Sequence, residues 1–497
     1  METDMRFIST RDTKEIPASV SSAEAIKTGL APDGGLFMPE SIPALTDKDI
    51  TELSGMDYPR RAARILSIFL TDYDKDSLLA DCAAAYSEEK FPGGAAPVKK
   101  LDEGLSVLEL WHGPTCAFKD MALQIMPRLL SGALKLTGEK RHARILVATS
   151  GDTGKAALEG YRDVDGIDIT VFYPVDGVSR MQKLQMATQK GDNVNVCSVY
   201  GNFDDTQNGV KAIFSDATLA EKADMNGYFF SSANSINWGR LAPQIVYYIS
   251  AYCDMVSSGA VKNGEKINVC VPTGNFGNIF AAYIAMKMGL PLGRLICASN
   301  SNCVLTDFIN TGVYDRTREF FKTMSPSMDI LISSNLERLL FFIGGSRLTG
   351  ELMSSLKETG RYTVPNDVLA AIRSTFGGYS ASEDETAATI KATFEKNGYL
   401  IDPHTAVGMT AVNKFRTETG DMTPMLLVST ASPYKFGADV CAALGVSVDR
   451  DDPAGIIKAL EAATHTTVPN SLSEVLTLPV RFTRVVYPSE MPSVATE

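Results

Sequence analysis

Three glycine- and asparagine-rich loops have the composition of binding sites for small anions. The first, at residues 273–278 (TGNFGN), follows an apolar run at 267–271 and precedes a helical pattern that continues to Met288. A loop between a strand and a helix presents unpaired backbone N–H groups and the positive end of the helix dipole. Glycine lets the backbone approach a phosphate closely. The loop therefore predicts phosphate binding, and a turn that only connects the two elements is the alternative.

The other two loops add side-chain donors. Residues 150–154 (SGDTG) follow an apolar run, and their hydroxyl groups could assist the backbone, although Ser, Asp and Thr are also ordinary helix N-caps. Residues 234–240 (NSINWGR) offer neutral donors together with Arg240, which can bind a phosphate through two parallel hydrogen bonds. Its alternative is a capped helix whose arginine faces solvent. The sequence has neither a Walker motif nor a Gly-x-Gly-x-x-Gly fingerprint, so a nucleotide is not the expected ligand.

Lys119 is the candidate nucleophile. It stands between Phe118 and Asp120, where a turn gives way to a helical pattern. Desolvation and the positive end of a helix both lower the pKa of an amine, and nucleophilic catalysis needs an amine of lowered pKa. A surface lysine paired with Asp120 is the alternative, and Lys119 by itself does not decide between the two.

The elements that must position these residues alternate between short apolar strands and helices. Strands are predicted at residues 144–149, 167–173, 194–200, 228–230, 267–271, 295–298 and 425–428. This alternation favours an α/β fold with a mainly parallel sheet, in which ligands bind at the carboxyl ends of the strands. Residues 1–97 differ, with helices predicted at 58–69 and 78–86 and a Gly/Pro-rich linker at 91–97, and are expected to form a separate N-terminal domain.

Composition and charge exclude several classes of protein. The chain has 497 residues, with 47 basic and 59 acidic side chains and a net charge of −12. This charge argues against a nucleic-acid or anionic-membrane partner. The 8 cysteines contain no Cys-x-x-Cys pair and the 4 histidines have no metal-type spacing, which predicts free thiols in a cytoplasmic protein without a metal site. We expect neither a secretory signal nor a membrane-spanning segment.

Seven segments together resemble the threonine synthase family of pyridoxal-phosphate (PLP) enzymes, which are carbon–oxygen lyases. They are HGPTCAFKD around Lys119, ATSGDTGKAAL from Ala148, SANSINWGR ending at Arg240, PTGNFGN from Pro272, SPSMDILISSNLERLLF from Ser325, DPHTAVG from Asp402 and STASPYKF from Ser429. The segments span nearly the whole chain and are similar to the bacterial and fungal branch. The resemblance implies the fold type II of tryptophan synthase β, with two open, mainly parallel α/β domains. The large PLP-binding domain would comprise residues 98–142 and 233–497, and the small domain residues 143–232.

The resemblance also implies a role for each matching residue. PLP would be the cofactor, and Lys119 would bond covalently to it and later transfer protons. Thr430 would hydrogen-bond the pyridine nitrogen. The cofactor phosphate would be held by Gly274, Asn275, Phe276, Gly277 and Asn278. The substrate carboxylate would be received by Ser150, Gly151, Asp152 and Thr153, and the substrate phosphate by Asn234, Ser235, Asn237 and Arg240, with Lys155 as a weaker candidate. His112 and His404 are expected to be structural, and Cys116 is given no catalytic role.

The implied reaction converts O-phospho-L-homoserine and water into L-threonine and phosphate, in a monomer or homodimer. One departure from the family pattern is Ser432, which stands where a histidine is usual. It leaves open a phospholyase that releases 2-oxobutyrate. A dehydratase of the same fold is disfavoured because such enzymes typically lack the Asn-Ser-x-Asn-x-x-Arg cluster, and a non-catalytic binding protein is disfavoured by the intact Lys119 and Thr430.

Overall fold

The computed structural model describes residues 4–175 and 178–497. Its strands are β1 (Phe7–Ser9), β2 (Ser19–Val20), β3 (Phe37–Pro39), β4 (Val98–Asp102), β5 (Leu105–Glu109), β6 (His142–Ala148), β7 (Ile167–Pro174), β8 (Val194–Val199), β9 (Tyr228–Ser231), β10 (Ile267–Pro272), β11 (Leu292–Ser299), β12 (Val313–Asp315), β13 (Arg361–Thr363), β14 (Phe376–Ser380), β15 (Met425–Ser429) and β16 (Val485–Val486). The strands expected from apolar runs are all present, with ends that differ by up to three residues.

The helices alternate with these strands after the first hundred residues. They are α1 (Ser22–Thr28), α2 (Asp47–Ser54), α3 (Tyr58–Phe69), α4 (Lys75–Ala85), α5 (Asp120–Leu123), α6 (Met126–Leu136), α7 (Asp152–Tyr161), α8 (Arg180–Ala187), α9 (Phe203–Ser215), α10 (Ala217–Met225), α11 (Trp238–Ser257), α12 (Gly277–Lys287), α13 (Val304–Thr311), α14 (Leu336–Thr359), α15 (Asn366–Thr375), α16 (Glu383–Asn397), α17 (Pro403–Thr419), α18 (Gly437–Ala443), α19 (Pro453–Thr464), α20 (Asn470–Ser473) and α21 (Met491–Thr496). Short 3₁₀ turns lie at 326–328, 433–436, 474–476 and 488–490.

Two sheets form the frame of the molecule. The larger has the strand order β14-β11-β10-β15-β5-β4 and is parallel except for its edge strand β4. The smaller has the order β16-β8-β7-β6-β9 and is parallel throughout. Strands β10 and β15 are buried along their whole length, as their continuous apolar sequences predict. The expected α/β class with a mainly parallel sheet is confirmed.

The strand pairing departs from the predicted domain limits at the C terminus. Residues 233–497 were assigned to the large domain, yet β16 pairs in parallel with β8 of the smaller sheet. The chain reaches that sheet through a segment in which Arg481 donates to the Gln189 carbonyl oxygen at 2.7 Å. The short sequence of β16 carries no periodic signal, and its partner lies nearly three hundred residues earlier. The remaining limits stay a prediction.

The N-terminal residues fold against α11. Strands β2, β1 and β3 form a small antiparallel sheet. The rings of Phe7 and Phe69 pack edge-on against Trp238, with centroids 5.4 and 5.5 Å away. The predicted linker at 91–97 does separate α4 from β4, but Phe91, Ala95 and Ala96 within it are buried, so it is a packed connection.

The carboxyl ends of four strands bring the predicted site residues into one region. Strand β10 leads through residues 273–276 into α12, β6 leads through 149–151 into α7, and β9 leads through 232–237 into α11. Strand β15 ends at Ser429, directly before Thr430. Within the described ranges no helix combines the length and the apolar character needed to cross a bilayer.

Candidate active site

Lys119 lies at the start of α5 and is held there by the end of β15. The main-chain N–H of Phe118 donates to the Thr430 carbonyl oxygen at 2.8 Å, and Ala117 pairs with Ala431 in an isolated bridge. The Lys119 side chain is only 13% exposed, and its Nζ lies 3.8 Å from Asp152 Oδ2. Burial lowers the pKa of Lys119 to about 8, against the opposing effect of Asp152. About a tenth of an amine with this pKa is uncharged at pH 7, against about one part in three thousand for an ordinary lysine, so Lys119 is a far better nucleophile or base near neutral pH.

Asp152, the first residue of α7, is the buried carboxylate of the site. Its Oδ1 is 2.6 Å from Lys435 Nζ and accepts a hydrogen bond from Gln182 Nε2 at 2.9 Å. Its Oδ2 accepts from the Ser327 hydroxyl at 3.0 Å. Burial would raise the pKa of Asp152, but the ammonium groups of Lys435 and Lys119 hold it well below the ordinary range. The carboxylate is therefore ionised and fixed in place.

Lys435 completes this group of charges and was not singled out from the sequence. It is fully buried, and its Nζ also donates to the Thr115 carbonyl oxygen at 2.9 Å. The Ser432 hydroxyl accepts from Tyr434 N at 3.4 Å and so caps the 3₁₀ turn that carries Lys435. The signal that could have identified it is that Lys435 is the charged residue of an otherwise uncharged segment, 429–436. Ser432, the departure from the family pattern, thus has a structural function here.

The loop at 273–278 has the features of a phosphate cradle. Phe276 adopts a left-handed conformation with φ of 64°, and no side chain of the described residues caps α12 behind it. The carbonyl oxygens of Gly274 and Asn275 accept from Ser333 Oγ at 2.8 Å and Asn335 Nδ2 at 3.0 Å, which leaves the N–H side of the loop available. The first-turn N–H groups of α12 are therefore suited to bind an anion.

Asn278 supplies a test of whether this loop fits a phosphorylated cofactor. Its Oδ1 accepts from the hydroxyl groups of Tyr247 and Tyr248 at 2.5 and 2.6 Å, which fixes the orientation of the amide. Its Nδ2 is buried and has no hydrogen-bond partner among the described residues. A buried donor without an acceptor is costly and is rarely retained without a function. Together with the buried Lys119, it makes the residues present fit PLP.

Arg240 is a buried guanidinium without a carboxylate partner among the described residues. It lies in the first turn of α11 and is 3% exposed. Nη1 donates to the Ala233 carbonyl oxygen, while Nε has no partner in the described part of the chain. Burial lowers the pKa of Arg240 to about 10. The positive charge of Arg240 also contributes to the lowered pKa of Lys119, so the two groups are electrostatically coupled. An anionic ligand would compensate this charge.

The neighbours of Arg240 differ in how far their side chains are already engaged. Asn237 Oδ1 accepts from Gly239 N at 2.8 Å, which caps α11, and its Nδ2 donates to the Ile26 carbonyl oxygen at 2.8 Å. Ser235 Oγ accepts from Asn335 Nδ2 at 3.2 Å and keeps its own proton available. Asn237 thus positions the start of α11, and its predicted contact with the substrate phosphate stays a prediction.

The loop at 149–154 holds its backbone through Thr149. Thr149 Oγ1 accepts from Gly151 N and Gly154 N, both at 2.9 Å. Gly151 has a φ of 136°, and no side chain caps α7 at this position. Of the first-turn N–H groups of α7, that of Gly154 is already engaged by Thr149, which leaves those of Asp152 and Thr153 for an anion. The predicted contact with a carboxylate stays a prediction. The Asp152 side chain, in contrast, points to Lys435 and Lys119, so any role in receiving a carboxylate belongs to its backbone.

Comparison with known proteins agrees with this geometry. Three family models match successive parts of the chain: the threonine synthase N terminus at residues 6–86, the pyridoxal-phosphate dependent enzymes at 95–430, and the threonine synthase C-terminal domain at 405–491. This chain belongs to the threonine synthase family. It is 38% identical over 478 residues to threonine synthase of Pseudomonas aeruginosa, covering 95% of this chain and 97% of that protein.

Solved structures of threonine synthases have the same architecture. The PLP-bound enzyme from Brucella melitensis superposes with a TM-score of 0.87 at 36% identity and covers 99% of both chains. The yeast enzyme superposes with a TM-score of 0.87 at 33% identity and covers 99% of this chain and 98% of that one. The chain is also 40% identical over 457 residues to human threonine synthase-like 1, although it spans only 61% of that protein. Fold type II, the PLP cofactor and the class of carbon–oxygen lyase, all expected from the sequence, are confirmed.

Lys155 is a predicted phosphate ligand whose ammonium group already has two partners. Its Nζ lies 3.4 Å from Glu159 Oε2 and also donates to Gln189 Oε1. A substrate phosphate would have to compete with both partners, so its predicted role as a phosphate ligand is the least supported. Of the other predicted groups, Asp152 lies 3.8 Å from Lys119, Arg240 is coupled to it electrostatically, and the Thr430 carbonyl oxygen accepts from the neighbouring Phe118 N–H. The roles of the remaining groups stay predictions.

The two histidines of the family motifs are hydrogen-bonded as expected. His404 accepts from Ser327 N at 3.1 Å through Nε2, so Nδ1 carries the proton toward Asp402 at 2.7 Å. His112 Nε2 lies 2.7 Å from Glu109 Oε2. Cys116 is buried, and burial raises the pKa of its thiol to about 11, which disfavours a thiolate nucleophile. Residues 4–175 and 178–497 contain no group of three or more His, Cys, Asp or Glu able to hold a metal ion.

Proposed function

We propose that this chain converts O-phospho-L-homoserine and water into L-threonine and phosphate, with Lys119 as the proton-transferring amine. The observation that carries the proposal is the position of Lys119, a buried amine with a pKa of about 8 that is coupled to the unpaired guanidinium of Arg240. An amine that moves protons and a cation that binds a leaving phosphate are the two groups this reaction requires.

The cofactor would be held by residues from three parts of the chain: Lys119, the loop of Gly274 to Asn278, and Thr430. When bound, PLP supplies an electron sink that stabilises negative charge on the adjacent carbon of the substrate. Thr430 is buried and offers a neutral hydroxyl in place of a carboxylate. A neutral group does not favour protonation of the ring nitrogen, which moderates the electron sink.

Lys119 removes the proton from Cα of the substrate and returns it at the end of the reaction. Its amine is free to do so because Asp152 is already neutralised by Lys435. The backbone N–H groups at the start of α7 bind the substrate carboxylate, which fixes Cα near Lys119. Burial excludes bulk water from this proton transfer, so the proton remains on Lys119 until it is needed.

Arg240 binds the phosphate of the substrate and stabilises it as the Cγ–O bond breaks. This step takes a proton from Cβ, and Cγ gains a proton before water adds at Cβ. The buried guanidinium acts in a low-dielectric surrounding, where its attraction for an anion is stronger than in water. Asn234 and Ser235, from the loop before α11, add neutral donors. Phosphate that stays at this site after elimination could activate the water that adds at Cβ. Replacing Arg240 would then lower the ratio of threonine to 2-oxobutyrate as well as the rate of elimination.

Analysis of the product from O-phospho-L-homoserine tests the proposed function. We expect equal amounts of L-threonine and phosphate, with Lys119→Ala inactive and lacking the absorbance of the covalently bound cofactor. Release of 2-oxobutyrate as the main product would refute the proposal in favour of the phospholyase. In Arg240→Ala, slower phosphate release with an unchanged ratio of threonine to 2-oxobutyrate would refute only the role of retained phosphate.

The cellular context follows from the same chemistry. We propose a cytoplasmic enzyme, because all eight cysteines are free thiols and all but Cys303 are buried. The substrate is a small molecule, and the net charge of −12 gives no reason to expect a nucleic-acid or membrane partner. A monomer or homodimer is the proposed state, which sedimentation of the purified holoenzyme measures.

A further inference from the structure

A second buried lysine, Lys435, is paired with the carboxylate that lies beside Lys119. Lys435 is fully buried and lies 2.6 Å from Asp152 Oδ1, whereas Lys119 lies 3.8 Å from Asp152 Oδ2. The first distance is that of a charge-assisted hydrogen bond, and the second is too long for one. One carboxylate thus lies between two amines and is hydrogen-bonded to only one of them.

We propose that Lys435 is a positioning residue that occupies Asp152 and so favours the uncharged form of the Lys119 amine, which is the form that reacts. This inference rests on the proposed function only in that it assigns Lys119 the reacting amine. The charges support it. With Lys435 protonated, Asp152 ionised and Lys119 neutral, the group has no net charge. A proton on Lys119 would add an unbalanced positive charge to a buried site, which is unfavourable.

The structure keeps Asp152 from turning toward Lys119. Gln182 and Ser327 donate to its two oxygens at 2.9 and 3.0 Å, so the carboxylate is held from the small-domain side and from the 3₁₀ turn at 326–328. On the opposite side, Lys435 is fixed by its bond to the Thr115 carbonyl oxygen and by its main-chain N–H, which donates to the Ser432 carbonyl oxygen at 3.1 Å. Asp152 and Lys435 are thus each held in position by further hydrogen bonds, which keeps them paired with each other.

The remaining charged groups around Lys119 do not replace Lys435. Asp120, in α5, accepts from Thr115 N at 2.8 Å and Thr115 Oγ1 at 2.7 Å and is therefore satisfied elsewhere. Burial raises the pKa of Asp120 to about 6, so it is ionised at neutral pH. Arg240, in α11, is a cation and acts in the same direction as Lys435. If Lys435 were removed, Asp152 would have Lys119 as its nearest remaining counterion.

Reductive methylation of full-length apoenzyme tests the inference without substrate or turnover. Formaldehyde and cyanoborohydride modify only uncharged amines, and peptide mass spectrometry gives the rate at Lys119 as a function of pH. For the wild type we expect a midpoint near the pKa of about 8. For Lys435→Met we expect the midpoint to rise by one pH unit or more, which is about a tenfold loss of free amine at pH 7.

Matched variants separate this role from general damage. Lys435→Arg retains the charge and should restore the wild-type midpoint, and Asp152→Asn combined with Lys435→Met should remove the rise because no carboxylate is left unpaired. Lys155→Met removes another buried lysine and should leave the midpoint unchanged. An unchanged or lowered midpoint in folded Lys435→Met, or a rise that persists in the double variant, would overturn the inference. A failure of the product assay alone would overturn the proposed function and leave this result standing.

Discussion

Replacing Arg240 by methionine should make the protein more stable while weakening its stabilisation by phosphate. Arg240 is 3% exposed and carries its charge without a carboxylate among the described residues. Methionine has a similar length and no charge, so it fills the same space. A residue that lowers the stability of the fold is expected to have a function, which for Arg240 is binding of an anion.

The magnitude follows from the surroundings of the guanidinium. Burial lowers the pKa of Arg240 from its ordinary value of 12.5 to about 10, which corresponds to about 3 kcal/mol of unfavourable free energy for the charged form in the fold. Because the folded pKa is the lower one, this penalty is complete at any pH well below 10 and disappears only at more alkaline pH. The substitution also leaves the Ala233 carbonyl oxygen without its donor, which costs about 1–2 kcal/mol. The net expectation is a gain of about 1–2 kcal/mol at pH 7.5.

Urea unfolding of the apoenzyme measures both effects. Inorganic phosphate at about ten times its dissociation constant for the Arg240 site should stabilise the wild type by about 1.4 kcal/mol more than Arg240→Met, because the loop at 273–278 is available to phosphate in both proteins. A series in sodium sulfate at matched concentrations, without phosphate, controls for general effects of salt, which should stabilise both proteins equally. If sulfate also binds at Arg240, it should stabilise the wild type more than Arg240→Met.

Arg61→Met provides the matched control, since Arg61 is a buried arginine that does have a carboxylate partner. Its Nη1 donates to Asp254 Oδ1 at 2.6 Å and its Nε to the Leu53 carbonyl oxygen at 2.8 Å. Removing it should cost about 3 kcal/mol and leave the stabilisation by phosphate intact. If Arg240→Met proves less stable than the wild type by 1 kcal/mol or more, or if phosphate stabilises both equally, the reasoning about an uncompensated charge is wrong.

Two further substitutions test the geometry of the site. In Gly274→Ala the new Cβ would lie 2.9 Å from the Ser327 carbonyl oxygen, so the loop must move, and we expect PLP to bind about tenfold more weakly in an absorbance titration. Gly350→Ala, in α14 with no atom within 4 Å of the new Cβ, should leave PLP binding unchanged, and equal loss in both variants would contradict the close fit. Lys155→Met should lower the unfolding free energy by about 1–2 kcal/mol, because Gln189 Oε1 loses its donor while Glu159 keeps Arg162 at 2.8 Å. Its KM for the phosphorylated substrate should stay within about twofold, and a KM raised about tenfold at unchanged stability would show that Lys155 binds substrate.

Local patterns were sufficient for most elements and for the loops of the site. The predicted helix at 58–69 has those bounds in the structure, because its apolar positions recur with the helical period and Asp57 caps it. Ser382 and Glu385 form the capping box that starts α16, a local pattern of serine followed three residues later by glutamate. Strand, loop and helix are adjacent in sequence, so the loops at 150–154 and 273–278 could be placed at the carboxyl ends of strands without any knowledge of tertiary contacts.

Short segments of the sequence were enough to identify the fold class and the cofactor, because the residues of each segment act together locally. The same segments predict Lys119 as the reacting lysine. Only the tertiary structure decided how the charges around that lysine are balanced. Lys435 meets Asp152, Asn237 meets the carbonyl oxygen of Ile26, and β16 meets β8, all across more than two hundred residues of chain. Such pairings depend on which surfaces come together when the sheets fold. A local sequence pattern cannot predict them, because the partners are far apart in the chain.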